Sequence, residues 1–155
     1  MDTIEERLRR EGVTLPEMAP PAANYLPFAR TGVLVFTAGQ LPLREGKLAL
    51  TGHLGGDVDT AGGQAAARLC AVNVLALAKA AAGSLDRVRR VVKLTVFVAS
   101  APGFTEQHLV ANGASDLIVA ILGDKGKHAR SAVGVASLPL DAPVEVEAVF
   151  ELDGV

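Results

Sequence analysis

Two charged residues in the last third of the chain have types that could act together on a small substrate. Arg130 begins a segment of alternating residues (130–136), and Glu145 lies in a second one (144–152). The connection between the segments is short, so antiparallel pairing predicts that they lie side by side. A guanidinium holds a planar carboxylate through two hydrogen bonds, and a nearby carboxylate can position or deprotonate a water. The alternative is a cross-strand ion pair on a solvated sheet face, which is common and weak.

The remaining chemistry-bearing residues form no known catalytic or metal-binding motif. The sequence has no phosphate-binding loop, no dinucleotide-binding glycine pattern, no His-Glu-x-x-His and no Gly-x-Ser-x-Gly. His53, His108 and His128 are too far apart for a local metal motif. The single cysteine, Cys70, lies in an apolar run and is predicted to be a small core residue. We therefore expect neither a metal nor a cofactor.

Length and composition exclude several classes of protein. A chain of 155 residues and 16.0 kDa has the size of one domain. A net charge of -2, a pI of about 5.9 and 4% aromatic residues argue against nucleic acid as the partner. The start of the chain does not resemble a signal peptide, and no uninterrupted apolar run reaches about 18 residues. We predict a cytoplasmic protein that does not enter a membrane.

The N-terminal region is predicted to differ from the rest of the chain. Thr3 and Glu6 have the spacing of a helix capping box, which indicates a short amphipathic helix. Residues 15–23 contain three prolines and cannot continue that helix. We therefore expect a peripheral helix and proline-rich connector at 1–24, followed by the main domain at 25–155.

Hydrophobic periodicity predicts eight further elements, and their order suggests an α+β fold. Strands interleaved with two long helices favour a sandwich in which the helices cover one face of a mixed sheet. An interior glycine, Gly113, counts against the second helix by about 1 kcal/mol relative to alanine. The predicted strands are 25–30, 33–37, 47–50, 92–98, 130–136 and 144–152, and the predicted helices are 59–83 and 105–122.

Four segments give the chain a resemblance to a known family. They are Gly32–Pro42, Val92–Val98, Arg130–Pro139 and Val144–Ala148, with Gln64 and Asn73 at matching places in the first long helix. Together they resemble the Rid (YjgF) family over residues of about 24 to 152. The resemblance implies a chorismate-mutase-like α+β fold and a homotrimer with three clefts at the subunit interfaces. It also implies hydrolysis of reactive enamines or imines to 2-oxo acids and ammonia.

The same resemblance assigns roles to individual residues. Arg130 is implied to clamp the substrate carboxylate, and Glu145 to position the attacking water. Tyr25 matches a tyrosine that reaches the cleft, and the alternative is a half-buried strand aromatic. These roles describe an enzyme that acts on a small carboxylate.

Three positions depart from the family pattern. The usual serine before Gly-Gln is Ala38, the usual cysteine after Arg-Ser is Ala132, and the place of an asparagine in the second helix is assigned to His108. His108 could add a titratable group near the cleft, or it could be a structural histidine. The two alanines leave the carboxylate clamp in place and change what surrounds the rest of the substrate.

Two other functions compete with hydrolysis. A trimeric binding or regulatory protein could use Arg130 to hold a 2-oxo acid without converting it. Endoribonuclease activity is a label often attached to this family, but the acidic pI, the absence of tryptophan and the lack of a paired-histidine motif argue against it.

Overall fold

A five-stranded mixed sheet with helices on one face organises the computed structural model, which describes residues 2–18 and 24–154. In chain order the elements are α1 (Ile4–Arg10), β1 (Phe28–Thr31), β2 (Leu34–Thr37), β3 (Leu43–Arg44), β4 (Lys47–Leu48), α2 (Thr60–Ala82), β5 (Val88–Ala99), α3 (Gln107–Leu122), β6 (Ala129–Val135) and β7 (Val144–Leu152). The large sheet has the order β1-β2-β7-β5-β6, and β3 and β4 form a separate hairpin. Within the large sheet β5 and β6 pair in parallel, and the other neighbouring strands pair antiparallel. The predicted α+β architecture is confirmed.

The expectation that β6 and β7 pair directly is wrong. Strand β5 lies between them, parallel to β6 and antiparallel to β7. At 12 residues β5 is the longest strand, and its side chains Leu94, Val96 and Val98 are fully buried. A long strand of this kind is most stable with hydrogen-bonded neighbours on both edges. The connection after β6 therefore carries the chain past β5 and does not close a hairpin.

The first hairpin agrees with the sequence pattern, and the third predicted strand is shorter than expected. Gly32 occupies the turn between β1 and β2 with a φ of 58°. The turn between β3 and β4 is Glu45-Gly46, and both residues have positive φ, as a tight hairpin turn requires. Strand β4 ends at Leu48 instead of residue 50.

Helix α2 runs through the middle of the core. Its N-cap Asp59 accepts a hydrogen bond of 2.7 Å from the amide of Gly62, and Gly83 ends it with a φ of 85°. The helix is long and apolar enough to cross a membrane, but 67% of its apolar window is buried inside the fold. Cys70 is among its fully buried residues, as predicted. Packing in the core accounts for the apolarity of α2.

The N-terminal helix α1 is part of the packed structure. The predicted capping box between Thr3 and Glu6 is present. Leu8 is buried in the main hydrophobic core, and Arg7 Nη1 donates a hydrogen bond of 3.2 Å to the Ile121 carbonyl in the last turn of α3. The predicted connector at 15–23 lies partly outside the described residues. The helix is thus mostly exposed, with Leu8 buried, and it is attached to the core and to α3.

Gly113 explains how α2 and α3 pack together. A Cβ at this position would lie 2.8 Å from the Gln64 carbonyl carbon and 2.9 Å from its Cα, well inside van der Waals contact. The absence of a side chain allows the two helix backbones to touch. The glycine that weakened the helix prediction is therefore required by the tertiary packing.

Gly113→Ala tests this explanation through the sign of its effect. Helix propensity alone predicts stabilisation by about 1 kcal/mol. Overpacking against α2 predicts that the free energy of unfolding falls by about 1–3 kcal/mol, and we expect this result in denaturant titrations. Gly154→Ala is the control, since a Cβ there meets nothing within 4 Å. An increase in stability for Gly113→Ala would contradict the close approach of the helices.

Candidate functional site

Arg130 lies on the sheet face that is covered by the helices. It is paired with the buried Leu94 of β5, and its side chain extends toward α3. The guanidinium donates three hydrogen bonds: Nη1 to Asn112 Oδ1 at 2.9 Å and to Ser115 Oγ at 3.1 Å, and Nη2 to the His108 carbonyl at 3.2 Å. All three acceptors belong to α3, so the helix fixes the plane of the guanidinium.

These bonds leave part of the guanidinium free to bind a ligand. Arginine has five N–H donors, and the three bonds leave one on Nη2 and one on Nε. Within the described residues Arg130 has no carboxylate partner within ion-pair distance. The side chain lines an open depression of about 270 Å³ together with Ser115, Val119, Lys127 and His128. A fixed cation with unused donors beside open space is suited to an anionic ligand.

Sequence reasoning missed the residues that hold Arg130. Asn112 and Ser115 are three positions apart on α3 and therefore share one helix face. Ser115 Oγ is also 2.9 Å from His128 Nε2, and His128 Nδ1 is 2.6 Å from the Gly126 carbonyl. The spacing of Asn112 and Ser115 was the available signal, but only the packing of α3 against β6 shows which face meets Arg130.

Glu145 lies on the opposite, open face of the sheet. It is paired with Phe97 of β5, which is paired in turn with Val133 of β6. Its carboxylate presses against the backbone of Gly39: a Cβ on Gly39 would lie 2.8 Å from Glu145 Cδ. A larger residue at position 39 would require the carboxylate to move from this place. The segment after β2 is held at this distance by two hydrogen bonds between the backbones of Gln40 and Val146, of 2.8 and 3.0 Å.

The surroundings of Glu145 favour its neutral form. Partial burial of the carboxyl, and then the negative charge of Glu147 on the same face, raise the pKa of Glu145 above its ordinary value. A carboxylate with a raised pKa accepts a proton more readily. That property is what a group that positions or deprotonates water requires.

Arg130 and Glu145 cannot contact the same small molecule within one chain. They lie on opposite faces of the sheet, on the two strands that flank β5. Neither residue forms an ion pair in the described part of the chain. The cross-strand ion pair considered as an alternative interpretation is therefore absent.

The other candidate residues are distributed between the two locations. Ala132 shares the helix-covered face with Arg130, and Ala38 precedes Gly39 beside Glu145. His108 is exposed, and its contact with Arg130 is made by the backbone carbonyl, not the ring. Asn112 is the asparagine side chain of α3 that meets Arg130. The assignment of the family's asparagine position to His108 stays a prediction. Tyr25 is 61% exposed and precedes β1, so it is not a half-buried strand residue.

The open sheet face also carries exposed apolar side chains. Phe36 and Val133 are each 44% exposed. Three cross-strand neighbours on this face, one each from β6, β5 and β7, are Val133, Phe97 and Glu145. Apolar groups and the candidate catalytic carboxylate therefore occupy one surface. Exposed apolar surface beside polar groups is typical of a face that another protein chain covers.

A family model described as "YjgF/chorismate mutase-like, putative endoribonuclease" matches residues 5–152. The protein Atu1372 from Agrobacterium tumefaciens is 56% identical, with a TM-score of 0.92 over 97% of this chain and 94% of that one. Protein TCP17 from Trypanosoma cruzi is 51% identical over 97% of this chain and 94% of its own length. The structure of TdcF from E. coli with bound serine is 28% identical, with a TM-score of 0.62 over 90% of this chain and 93% of that one.

These matches cover nearly the whole chain and agree with the observed sheet order and helix layer. The two relatives above 50% identity mark a subgroup distinct from the E. coli protein. The chain belongs to the YjgF/chorismate-mutase-like (Rid) family.

Proposed function

We propose that the protein hydrolyses reactive enamines or imines of small 2-oxo acids, releasing the 2-oxo acid and ammonia. The observation that carries this proposal is the hydrogen bonding of the Arg130 guanidinium. Three bonds to α3 hold its guanidinium and leave two N–H groups without a partner in the described residues, and the side chain lines an open depression. A carboxylate is the planar anion that such a pair of donors suits best. Family membership supports the same substrate class.

The catalytic site is proposed to form between two chains of a homotrimer. A substrate held by Arg130 of one chain can reach a Glu145 only if that glutamate belongs to a neighbour, because the two residues of one chain face opposite ways. The exposed Phe36 and Val133 on the open face support its burial against another copy.

The chemistry assigned to Glu145 is proton transfer to and from water. The enamine takes up a proton from solvent on carbon and becomes the iminium ion, and water then adds to the iminium carbon as Glu145 accepts a proton from that water. Glu145 returns this proton to the nitrogen of the resulting carbinolamine. The C–N bond then breaks and ammonia leaves, while the hydroxyl loses its proton to solvent and becomes the carbonyl of the 2-oxo acid. The raised pKa of Glu145 supports both directions of this transfer.

A non-catalytic binder of 2-oxo acids is the second candidate. Ala38 and Ala132 stand where other family members carry a hydroxyl and a thiol. The surroundings of Arg130 and Glu145 therefore lack these two small polar groups, although both charged residues are kept. Arg130 can bind the carboxylate of a 2-oxo acid without a polar side chain at position 38 or 132. The two functions differ in whether Glu145 affects a rate.

Mixing two inactive variants tests the two-chain site. Arg130→Lys removes the planar fork, and Glu145→Gln removes the proton acceptor, so each homogeneous protein should lose most of its activity. In trimers assembled at random from equal amounts of both, about one quarter of the clefts combine an intact Arg130 with an intact Glu145. We expect ammonia release near that fraction of the wild-type rate.

Light scattering on the mixture verifies that the assembly is a trimer, and each variant mixed with itself supplies the baseline. If verified mixed trimers are no more active than this baseline, the two-chain site is contradicted. Either one chain supplies both residues of a site, or the two residues are not part of it. A stable monomer near 16 kDa would also contradict the proposal.

Glu145→Gln and Glu147→Gln together separate an enzyme from a binder. Both residues share the open face, but only Glu145 contacts Gly39. Glu145→Gln should lower kcat by roughly 10²–10⁴ with little change in 2-oxobutyrate affinity, whereas Glu147→Gln should leave most of the rate. Calorimetry and an ammonia assay measure the two quantities. Equal rate losses in both variants would mean that Glu145 is one of a row of solvated glutamates.

The raised pKa of Glu145 also predicts how stability depends on pH. A carboxyl with a higher pKa in the folded state opposes folding when ionised, and this cost is absent below the ordinary value of 4.5. Glu145→Gln should therefore raise the Tm at pH 7–8, with the difference from wild type disappearing as the pH falls below about 4.5. The exposed Glu17→Gln controls for loss of a charge. A Tm gain that is constant with pH would contradict the assignment.

A further inference from the structure

The hydrogen bond between Ser115 and His128 has a direction that the surrounding groups fix. The Gly126 carbonyl accepts only, so His128 Nδ1, at 2.6 Å, carries the proton in this contact. In the neutral ring Nε2 is then an acceptor, and the Ser115 hydroxyl donates to it across 2.9 Å. The remaining lone pairs of Ser115 Oγ face Arg130 Nη1, which donates to them across 3.1 Å.

The loop before β6 is built to bring His128 to α3. A Cβ on Gly126 would lie 2.7 Å from the Ile118 carbonyl oxygen and 3.0 Å from Val119 Cα, so this loop can lie against α3 only with glycine at that position. His128 follows two residues later, immediately before β6 begins at Ala129. His128 is thereby held between the loop backbone and Ser115.

His128 also prevents Ser115 from turning its hydroxyl away. A serine inside a helix commonly donates to the carbonyl four residues earlier, which for Ser115 belongs to Ala111. With His128 Nε2 as acceptor, the hydroxyl proton points to the imidazole and the oxygen lone pairs stay directed at the guanidinium. The chain of donors runs from Arg130 through Ser115 to His128 and ends at the Gly126 carbonyl.

We propose that Ser115 and His128 form a positioning relay for Arg130. The relay, with Asn112, occupies both protons of Nη1 and leaves the donors on Nε and Nη2 to meet the substrate carboxylate. An arginine side chain that is free to change rotamer loses conformational entropy when it binds a ligand, and fixing it before binding lowers that cost. This inference rests on the proposed function for the identity of the ligand as a carboxylate. Ser115 and His128 themselves do not contact the reacting atoms.

The first experiment measures the guanidinium without any ligand. In protein labelled with ¹⁵N-arginine, a guanidinium held by hydrogen bonds on Nη1 and Nη2 gives separate Nη resonances, and Arg130→Lys assigns them by their loss. We expect separate resonances in wild type and faster exchange between them, seen as line broadening, in Ser115→Ala and in His128→Phe, because both variants lose part of the relay while Asn112 and the His108 carbonyl still hold the guanidinium. Ser115→Thr keeps a hydroxyl and should restore the slow exchange. Lys125→Gln, which removes an exposed charge from the same loop, should change nothing.

The second experiment measures what the relay does for binding. Calorimetry compares 2-oxobutyrate with 2-oxobutanamide, which has the same carbon skeleton and no carboxylate. Ser115→Ala and His128→Phe should weaken binding of the acid about 10-fold, the scale of one hydrogen bond to a charged group, and leave binding of the amide unchanged. In turnover the same variants should raise KM and keep kcat, because Glu145 is untouched. Ser115→Thr should return the acid affinity to within about threefold of wild type.

The outcomes separate the relay from the proposed function. An exchange rate between the Nη resonances that is unchanged in both Ser115→Ala and His128→Phe would overturn the relay, as would equal losses of affinity for the acid and the amide. A wild-type protein that neither binds 2-oxobutyrate nor releases ammonia from an enamine would contradict the proposed function, and the relay would then stand or fall on the nitrogen resonances alone.

Discussion

The position of β5 between β6 and β7 determines where Arg130 and Glu145 lie. Its buried side chains face the helices, so the residues beside them on neighbouring strands face the helices too. Arg130 is paired with the buried Leu94, whereas Glu145 is paired with Phe97 on the alternate face. Strand pairing thus separates the cation from the carboxylate. A site that uses both requires a second copy of the chain, and the apolar groups of the open face are the surface available for it.

Close backbone contacts at glycine hold each half of the site in place. Gly39 admits the Glu145 carboxylate beside the segment after β2, and Gly126 lets the loop before β6 lie on α3. Gly113 brings α3 itself against α2. At Gly113 and Gly126 an added Cβ would collide with backbone, so these two contacts fix the distance between the packed elements, whereas at Gly39 it would meet the Glu145 side chain. The charged side chains are therefore positioned by main-chain packing that extends to the core.

The sequence predicted what depends on local periodicity and missed what depends on packing between elements. Alternation and capping residues predicted α2, the first hairpin and β7, because each of these patterns depends on residues that are close together in the sequence. Whether β6 pairs with β7 or with β5 is decided by which strand needs two partners, and no local pattern carries that information. Arg130 and Glu145 could be proposed as a pair, but their opposite faces could not be foreseen without the parallel register of β5 and β6.

The N-terminal helix α1 contacts the helix that holds Arg130. Arg7 binds the Ile121 carbonyl in the last turn of α3, and Leu8 is buried in the core. Helix α3 in turn supplies the acceptors that hold Arg130. The family match begins at residue 5, inside α1, so this helix is a feature that the family model includes. Anchoring the end of α3 limits the movement of the helix surface that faces Arg130. A guanidinium whose orientation is fixed in this way selects its ligand by the direction of its free N–H donors as well as by its charge.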